Sequence, residues 1–419
     1  MRPSRLIGLI MLIVAAIVVT ACGSNSSSSS GATEGASTES TEATAASSSA
    51  SGEPLVVGAA MAKTGFMEQF DKPAVLGAEM AAEKINSEGG VDGRPLEIVQ
   101  VDSKSDKAQA AQAATQLITE NGAEALLVSC DFDYGGPAAV VAQSSEKLAF
   151  GCAAAPQFGV QGIGNDAFTL DTYTNGEGAA IAEWAYNKQN WKSVYVLTDN
   201  TIEYTKSLST YFKDRWTELA GAKSIVGEDT FNDEETSVSA QVTRISSLSQ
   251  QPDFIFLPSC PPGTPTAVRQ IRAAGIETPI VAGVCTDGNA WLKGLSDLSN
   301  FYYLPWVSTY GDDPNPEVNA FVEELKERGG GDQLEFGVVG YSMVQAYADA
   351  VEKAGSTETE AVRNALEEFV EQPLLVGPTT FTEELHGDPK RPFVVMEIQN
   401  GKHKYLEQVT PEKPPASGL

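Results

Sequence analysis

The stretch LVVGAAMAKTGFMEQFDKPAVLGAEMAAEKINSEGGVDGRPLEIVQVD, Leu55 to Asp102, decides how the rest of the chain is read. It opens on an apolar run, Leu55–Met61, that breaks at Thr64-Gly65. A helical pattern follows from Pro73 to Asn86, with Val75, Ala78, Ala82 and Ile85 on one face. Gly89-Gly90 end it, because glycine tolerates the left-handed backbone that a helix end requires. Leu96–Asp102 then reads as a second buried strand, rich in branched apolar residues. Strand, helix and parallel strand form a βαβ unit with a right-handed crossover. Ligands of open α/β sheets sit beyond the carboxyl ends of the strands. The loop holding Thr64, Gly65, Phe66 and Phe70 is therefore expected at the mouth of a site.

Outward from this unit the alternation continues. A helix is predicted over Lys107–Asn121, then the strand ALLVS, a helix entered at Gly136-Pro137, and the short strand LAFGC. The pattern then recurs, with VYVLTD, a helix over Tyr204–Ala220 closed by Gly221, and a helix carrying Val238, Val242 and Ile245 in phase. FIFLPS and PIVAGV are further strands with a helix between them. Two such runs imply an α/β protein of two doubly wound domains, joined near Thr172–Gly178. From Phe301 the chain changes character, with helices predicted near Pro316–Arg328 and Glu335–Ala354.

The 419 residues carry 28 basic and 56 acidic side chains, a net charge of −28, which argues against a nucleic-acid partner. Arg2 and Arg5 precede an apolar run, Leu6–Val19, too short for a comfortable membrane span, and a small-residue site before Cys22. Residues 1–21 therefore read as a lipoprotein signal peptide and Cys22 as the lipidated first residue; an uncleaved anchor is the alternative. Either way the body is exported. Residues 22–53 are Ser-, Ala-, Thr-, Gly- and Glu-rich, a disordered tether spanning roughly 30 Å r.m.s.. It holds the body outside the cytoplasmic membrane or in a periplasm.

Cys130, Cys152, Cys260 and Cys285 remain, an even number in an oxidising compartment. Each successive pair ends two strands that a doubly wound sheet commonly sets side by side, within disulfide reach. Bridges Cys130–Cys152 and Cys260–Cys285 are expected; four buried free thiols are the alternative.

The run from Gly58 through Ala110, above all Ile85-Asn86, then Gly89-Gly90-Val91-Asp92-Gly93-Arg94 and a strand ending in acid, resembles the type I periplasmic binding proteins. More narrowly it is similar to the leucine/isoleucine/valine-binding family that feeds ABC transporters, over about Leu55–Val409. The resemblance implies a three-segment hinge, with crossings near Pro305–Val307 and Gly377-Pro378. One lobe would comprise residues 54–173 and 307–378, the other 174–306 and 379–410, with 411–419 as a tail. It also implies a monomer serving a membrane permease and its ATPases, with no cofactor.

By the same resemblance Phe70 stands where an aromatic residue walls the side-chain pocket, and Tyr204 where a tyrosine closes over the ligand. The loops after the third and fourth strands would hold a ligand carboxylate, yet the hydroxyl positions carry Asp131 or Phe132 and Ala155, beside Ala153. Cys260 replaces another ligand tyrosine, and Cys285 the acid that pairs the ammonium, with Asp287 two residues on. These departures point away from leucine, isoleucine and valine. They favour a small organic solute held by aromatic faces, from Phe66, Phe70, Phe132, Tyr134 and Trp291, with an amide or cationic end near Asp131 or Asp133. Asp131 and Asp133 also suit helix entry. No nucleophile elbow, phosphate loop or metal spacing occurs, and His386 and His403 stand alone, so an enzyme is not expected. The reading is a lipid-anchored solute-binding protein of an importer; a sensor lipoprotein of the same fold, coupled to a receptor, is the alternative.

Overall fold

The computed structural model describes residues 52–417 except position 234. The expected signal peptide, lipidated Cys22 and nearly all of the tether lie outside the described residues. The first sheet holds β1 (Leu55–Met61), β2 (Leu96–Asp102), β3 (Ala125–Val128), β4 (Leu148–Gly151) and β5 (Ala167–Thr169). Its order is β2-β1-β3-β4-β5, parallel throughout. The second holds β6 (Val194–Asp199), β7 (Ile225–Phe231), β8 (Phe254–Leu257), β9 (Ile280–Ala282) and β10 (Phe301–Tyr303). A hairpin, β11 (Gln372–Leu374) and β12 (Gly377–Thr379), stands apart from both sheets. The chain then adds β13 (Phe393–Gln399) and β14 (Lys402–Val409) antiparallel to the second sheet, in order β14-β13-β10-β9-β8-β6-β7.

Burial explains the sequence patterns. β3, β4, β6, β8 and β9 are buried at every residue, so their sequences run continuously apolar. Edge strand β7 alternates, because only one face meets the core. The short β5 and β10, which the sequence did not reveal, are three residues each, too short for a period to show.

The helices are α1 (Glu68–Ser87), α2 (Lys107–Thr119), α3 (Phe132–Ser144), α4 (Thr174–Glu183) and α5 (Glu203–Ala220). They continue with α6 (Ser239–Ser246), α7 (Gly263–Ala273), α8 (Pro316–Glu327), α9 (Glu335–Ala354) and α10 (Thr359–Glu367). α1 starts five residues before the expected Pro73 and carries that proline inside, forgoing one backbone hydrogen bond. The early start draws Phe70 and Asp71 into the interior. α6 is shorter than its apolar phasing implied, spanning only the turns that bury Val242 and Ile245.

α1 and α9 cross almost in backbone contact, through Gly77, Gly337 and Gly340. A Cβ on Gly340 would collide with the Ala74 carbonyl, and one on Gly77 with the Gly337 carbonyl. Residues after β10 thus return to α1 of the first sheet, and residues after β12 rejoin the second sheet as β13. Among the described residues no helix is long and apolar enough to cross a membrane.

Candidate functional site

The carboxyl ends of the two sheets face each other across a narrow cavity with about 30 Å³ open to the centre of a water molecule. On the first side, β3 ends in Ser129 and Cys130 and turns into α3 at Asp131. Asp131 is the N-cap of α3, its side chain accepting from the Asp133 N–H at 2.8 Å. Beneath it lies fully buried Asp71, which accepts from the Ala62 N–H at 2.7 Å, the Cys130 N–H at 2.9 Å and the Ser129 hydroxyl. Burial holds Asp71 up at about 6 against these three donors. Asp131 is pushed up to about 7, by burial first and by Asp133 second.

On the second side, α5 begins at the mouth and presents Ile202 and Tyr204. The Tyr204 hydroxyl donates to Glu177 Oε1 at 2.9 Å, and the Val284 N–H donates to the same oxygen at 2.9 Å. Glu177 is wholly buried and is pushed up to about 8 by desolvation. The Tyr204 ring faces the cavity while its hydroxyl is held inside the second side of the molecule.

The cavity wall divides by chemistry. Phe66, Phe70 and Phe336 give aromatic faces, with ring centroids 5.8 Å apart for Phe66–Phe70 and 5.1 Å for Phe70–Phe336. Disulfides Cys130–Cys152 and Cys260–Cys285 wall it from opposite sides, with Cα separations of 4.4 and 5.4 Å. They join the ends of the paired strands β3–β4 and β8–β9, as the spacing led one to expect. Asp131, Asp171 and Tyr204 are its polar side chains, and among the described residues no Lys, Arg or His lines it.

Contacts between the two sides close the mouth. Asp133 Oδ2 accepts from the Glu203 N–H at 2.7 Å, and Gln157 Nε2 donates to Glu203 Oε1 at 3.1 Å. At the other rim, Gln333 Nε2 donates to the Asp287 carbonyl at 2.9 Å and the Ala290 N–H to Asp332 Oδ2 at 2.7 Å.

Of the residues singled out from sequence, Phe66, Phe70, Asp131, Tyr204 and the four cysteines Cys130, Cys152, Cys260 and Cys285 line the cavity. The others do not. Thr64 is exposed and its hydroxyl donates to Asp102 Oδ2 at 3.0 Å; Gly65, at φ 89°, shapes that turn. Ala153 and Ala155 are buried in the first side, and Phe132 packs half-buried against it. Asp287 accepts from Tyr303 Oη and Thr309 Oγ1, both at 2.9 Å, and does not line the cavity. Trp291 is buried against Phe301. His386 is buried and His403 half-buried, both outside the cavity lining, and each is pushed down to about 4 by desolvation. Among the described residues no group of three or more His, Cys, Asp and Glu is placed to hold a metal ion.

Asp171, Glu177, Glu335 and Phe336 are what the sequence reasoning missed. Asp171 and Glu177 fall at the join between the two sheets, and acids in an otherwise buried stretch were the available signal.

The family model described as periplasmic binding protein matches residues 54–403. The chain belongs to that family, and its fold is that of the type I periplasmic binding proteins. It is 24% identical over 361 residues to the Leu/Ile/Val-binding protein homolog 1 of Brucella suis, covering 84% of this chain and 94% of that one. An amino acid binding protein of Pseudomonas aeruginosa is 26% identical over 309 residues, covering 73% and 80%. Among solved structures, the isoleucine complex of the substrate binding protein LivJ from Streptococcus pneumoniae superposes with a TM-score of 0.75 at 24% identity, covering 86% and 100%. A benzoate complex of a solute binding protein from R. palustris gives 0.72 at 19%, covering 87% and 98%. At these identities the structures speak for the fold.

Proposed function

We propose that this chain is the lipid-anchored solute-binding protein of an ABC importer, held outside the membrane by Cys22 and closing as a monomer on one small polar organic solute. The lobes in this reading are residues 54–173 with 307–378, and 174–306 with 379–410. The observation that carries it is the walled cavity between two doubly wound sheets, with its mouth shut by Asp133–Glu203 and Gln157–Glu203 contacts. Three chain segments joining two lobes permit a hinge motion that opens such a cavity. Closure would set both lobe surfaces in one relative orientation for a permease, whose ATPases then drive import. Relatives named for leucine, isoleucine and valine or for amino acids point to an amino acid, whereas a lining with no basic residue among the described residues favours a different solute here.

The test is a growth-medium footprint of the host. A strain lacking this chain should leave one small solute unconsumed that the parent removes. Restoring the full chain should restore uptake, and a Cys22→Ala version should restore it poorly. Identical footprints from deletion and parent would count against an importer.

A further inference from the structure

Three buried carboxyl groups at or just behind this cavity each keep at least one oxygen without a donor, although Glu177 Oε1 accepts from Tyr204 and Val284 and Asp171 is helped by the Thr172 N–H and the Trp306 indole. Asp171, 3% exposed, lines the cavity, and its Oδ1 has no hydrogen-bond donor. Glu177 Oε2 is likewise unpartnered, one hydrogen bond behind the cavity-lining Tyr204 and Val284. Glu335 precedes the cavity-lining Phe336 at the start of α9, and neither of its oxygens has a donor. The three act electrostatically on one another, and Asp287 adds a fourth charge nearby. Against them stands one guanidinium, Arg391. Its Nη1 and Nη2 donate to the Leu170 carbonyl and Thr379 Oγ1, and it forms no ion pair with Asp171. A buried acceptor without a donor is destabilising, and more so when charged.

The opposite charge is poorly served at the end of β3 and by a lining that, among the described residues, holds no Lys, Arg or His. A ligand carboxylate needs amide N–H groups or a base, and the amides at the end of β3 are already taken. The Cys130 N–H serves Asp71, the Asp131 N–H serves the Ser129 carbonyl, and the Asp133 N–H serves Asp131. An internal carboxylate and a helix cap thus occupy the donors an anionic ligand would use. The remaining walls are Phe66, Phe70, Phe336 and two disulfides, whose faces suit an apolar body and, in the rings, a nearby cation.

We infer that the solute is a protonated primary amine on a small apolar body with no carboxylate of its own, its ammonium bound at Asp171 with Glu177 and Glu335 behind. The ammonium can donate to the unpartnered Asp171 Oδ1, and its positive charge favours the ionised form of the acids that closure brings together. The inference rests on the solute-binding reading and names the chemistry of that same site.

The experiment titrates the full chain calorimetrically with two matched sets. 3-Methylbutylamine is compared with leucine, which differs by one carboxylate. Benzylamine is compared with benzamide and benzoate, which differ in charge. At least one amine should bind tenfold or more tighter than its matched competitors. Asp171→Asn should weaken that amine at least tenfold while the variant melts within a few degrees of wild type. Should that variant not fold, the wild-type ranking alone decides. A tighter leucine, benzamide or benzoate, no amine binding, or an Asp171→Asn affinity within twofold of wild type would overturn the inference. Compaction around one of the competitors would leave the solute-binding reading standing, and the medium footprint judges that reading separately.

Discussion

Replacing Glu177 by Gln should remove much of a pH-dependent weakness in the fold. Gln keeps an oxygen to accept from Tyr204 and Val284 and loses the ionisation. In the native protein burial raises Glu177 from its ordinary 4.5 to about 8. Below pH 4.5 both folded and unfolded chains hold the proton, and the group contributes nothing. Between 4.5 and about 8 the unfolded chain ionises while the folded one does not, so stability falls as pH rises. Above that window the loss is constant. At 1.36 kcal/mol for each pKa unit, the difference reaches on the order of 5 kcal/mol across the window. Asp71 and Asp131 are raised too, but they are present in both proteins and drop out of the comparison. The assay is urea unfolding followed by tryptophan fluorescence at pH 4.5, 6.5 and 8.5, wild type against variant. The variant's advantage should grow at each step. Parallel pH profiles would refute the assignment of a buried, protonated Glu177.

Gly340→Ala should destabilise by about 1–3 kcal/mol, although helix propensity alone favours alanine by about 1 kcal/mol, because the added methyl meets the Ala74 carbonyl; thermal melting gives the sign. Replacing Cys260 and Cys285 together by Ser should cost about 3 kcal/mol, from the loop entropy of a 25-residue separation, read by unfolding without reductant. Asp133→Ala removes an acceptor for the Glu203 N–H that exists only when the mouth is shut. Binding of 3-methylbutylamine should weaken roughly tenfold or more, as for a hydrogen bond to a charged group, with melting little changed; calorimetry and melting together check it.

Much of this architecture was legible because it rests on local patterns. Continuous apolar runs mark strands buried on both faces, and Gly89-Gly90 and Gly221 stop helices where the backbone turns. The disulfides were legible because parallel neighbours end at one edge of a sheet. The site was only half legible. The strand-end rule names the loops and not which side chain of a loop turns inward, so Phe66 and Phe70 reach the cavity while Thr64 turns back to Asp102. Asp287 fell to the same ambiguity, two residues from the cavity-lining Cys285 yet turned to Tyr303 and Thr309. Asp171, Glu177 and Glu335 were hard to read for another reason. Acids are usually exposed, and only the packing of the folded chain buries these three and leaves some of their oxygens without donors.

Small-angle scattering of the full chain tests the central claim most directly. The radius of gyration is compared before and after adding the small-molecule fraction of the host's growth medium, then again after dialysis. A clamp that closes on a solute predicts a smaller radius with the fraction, restored on dialysis, and one retained small molecule per chain by native mass spectrometry. An unchanged radius with a small molecule bound at one per chain would contradict closure of the two lobes around it.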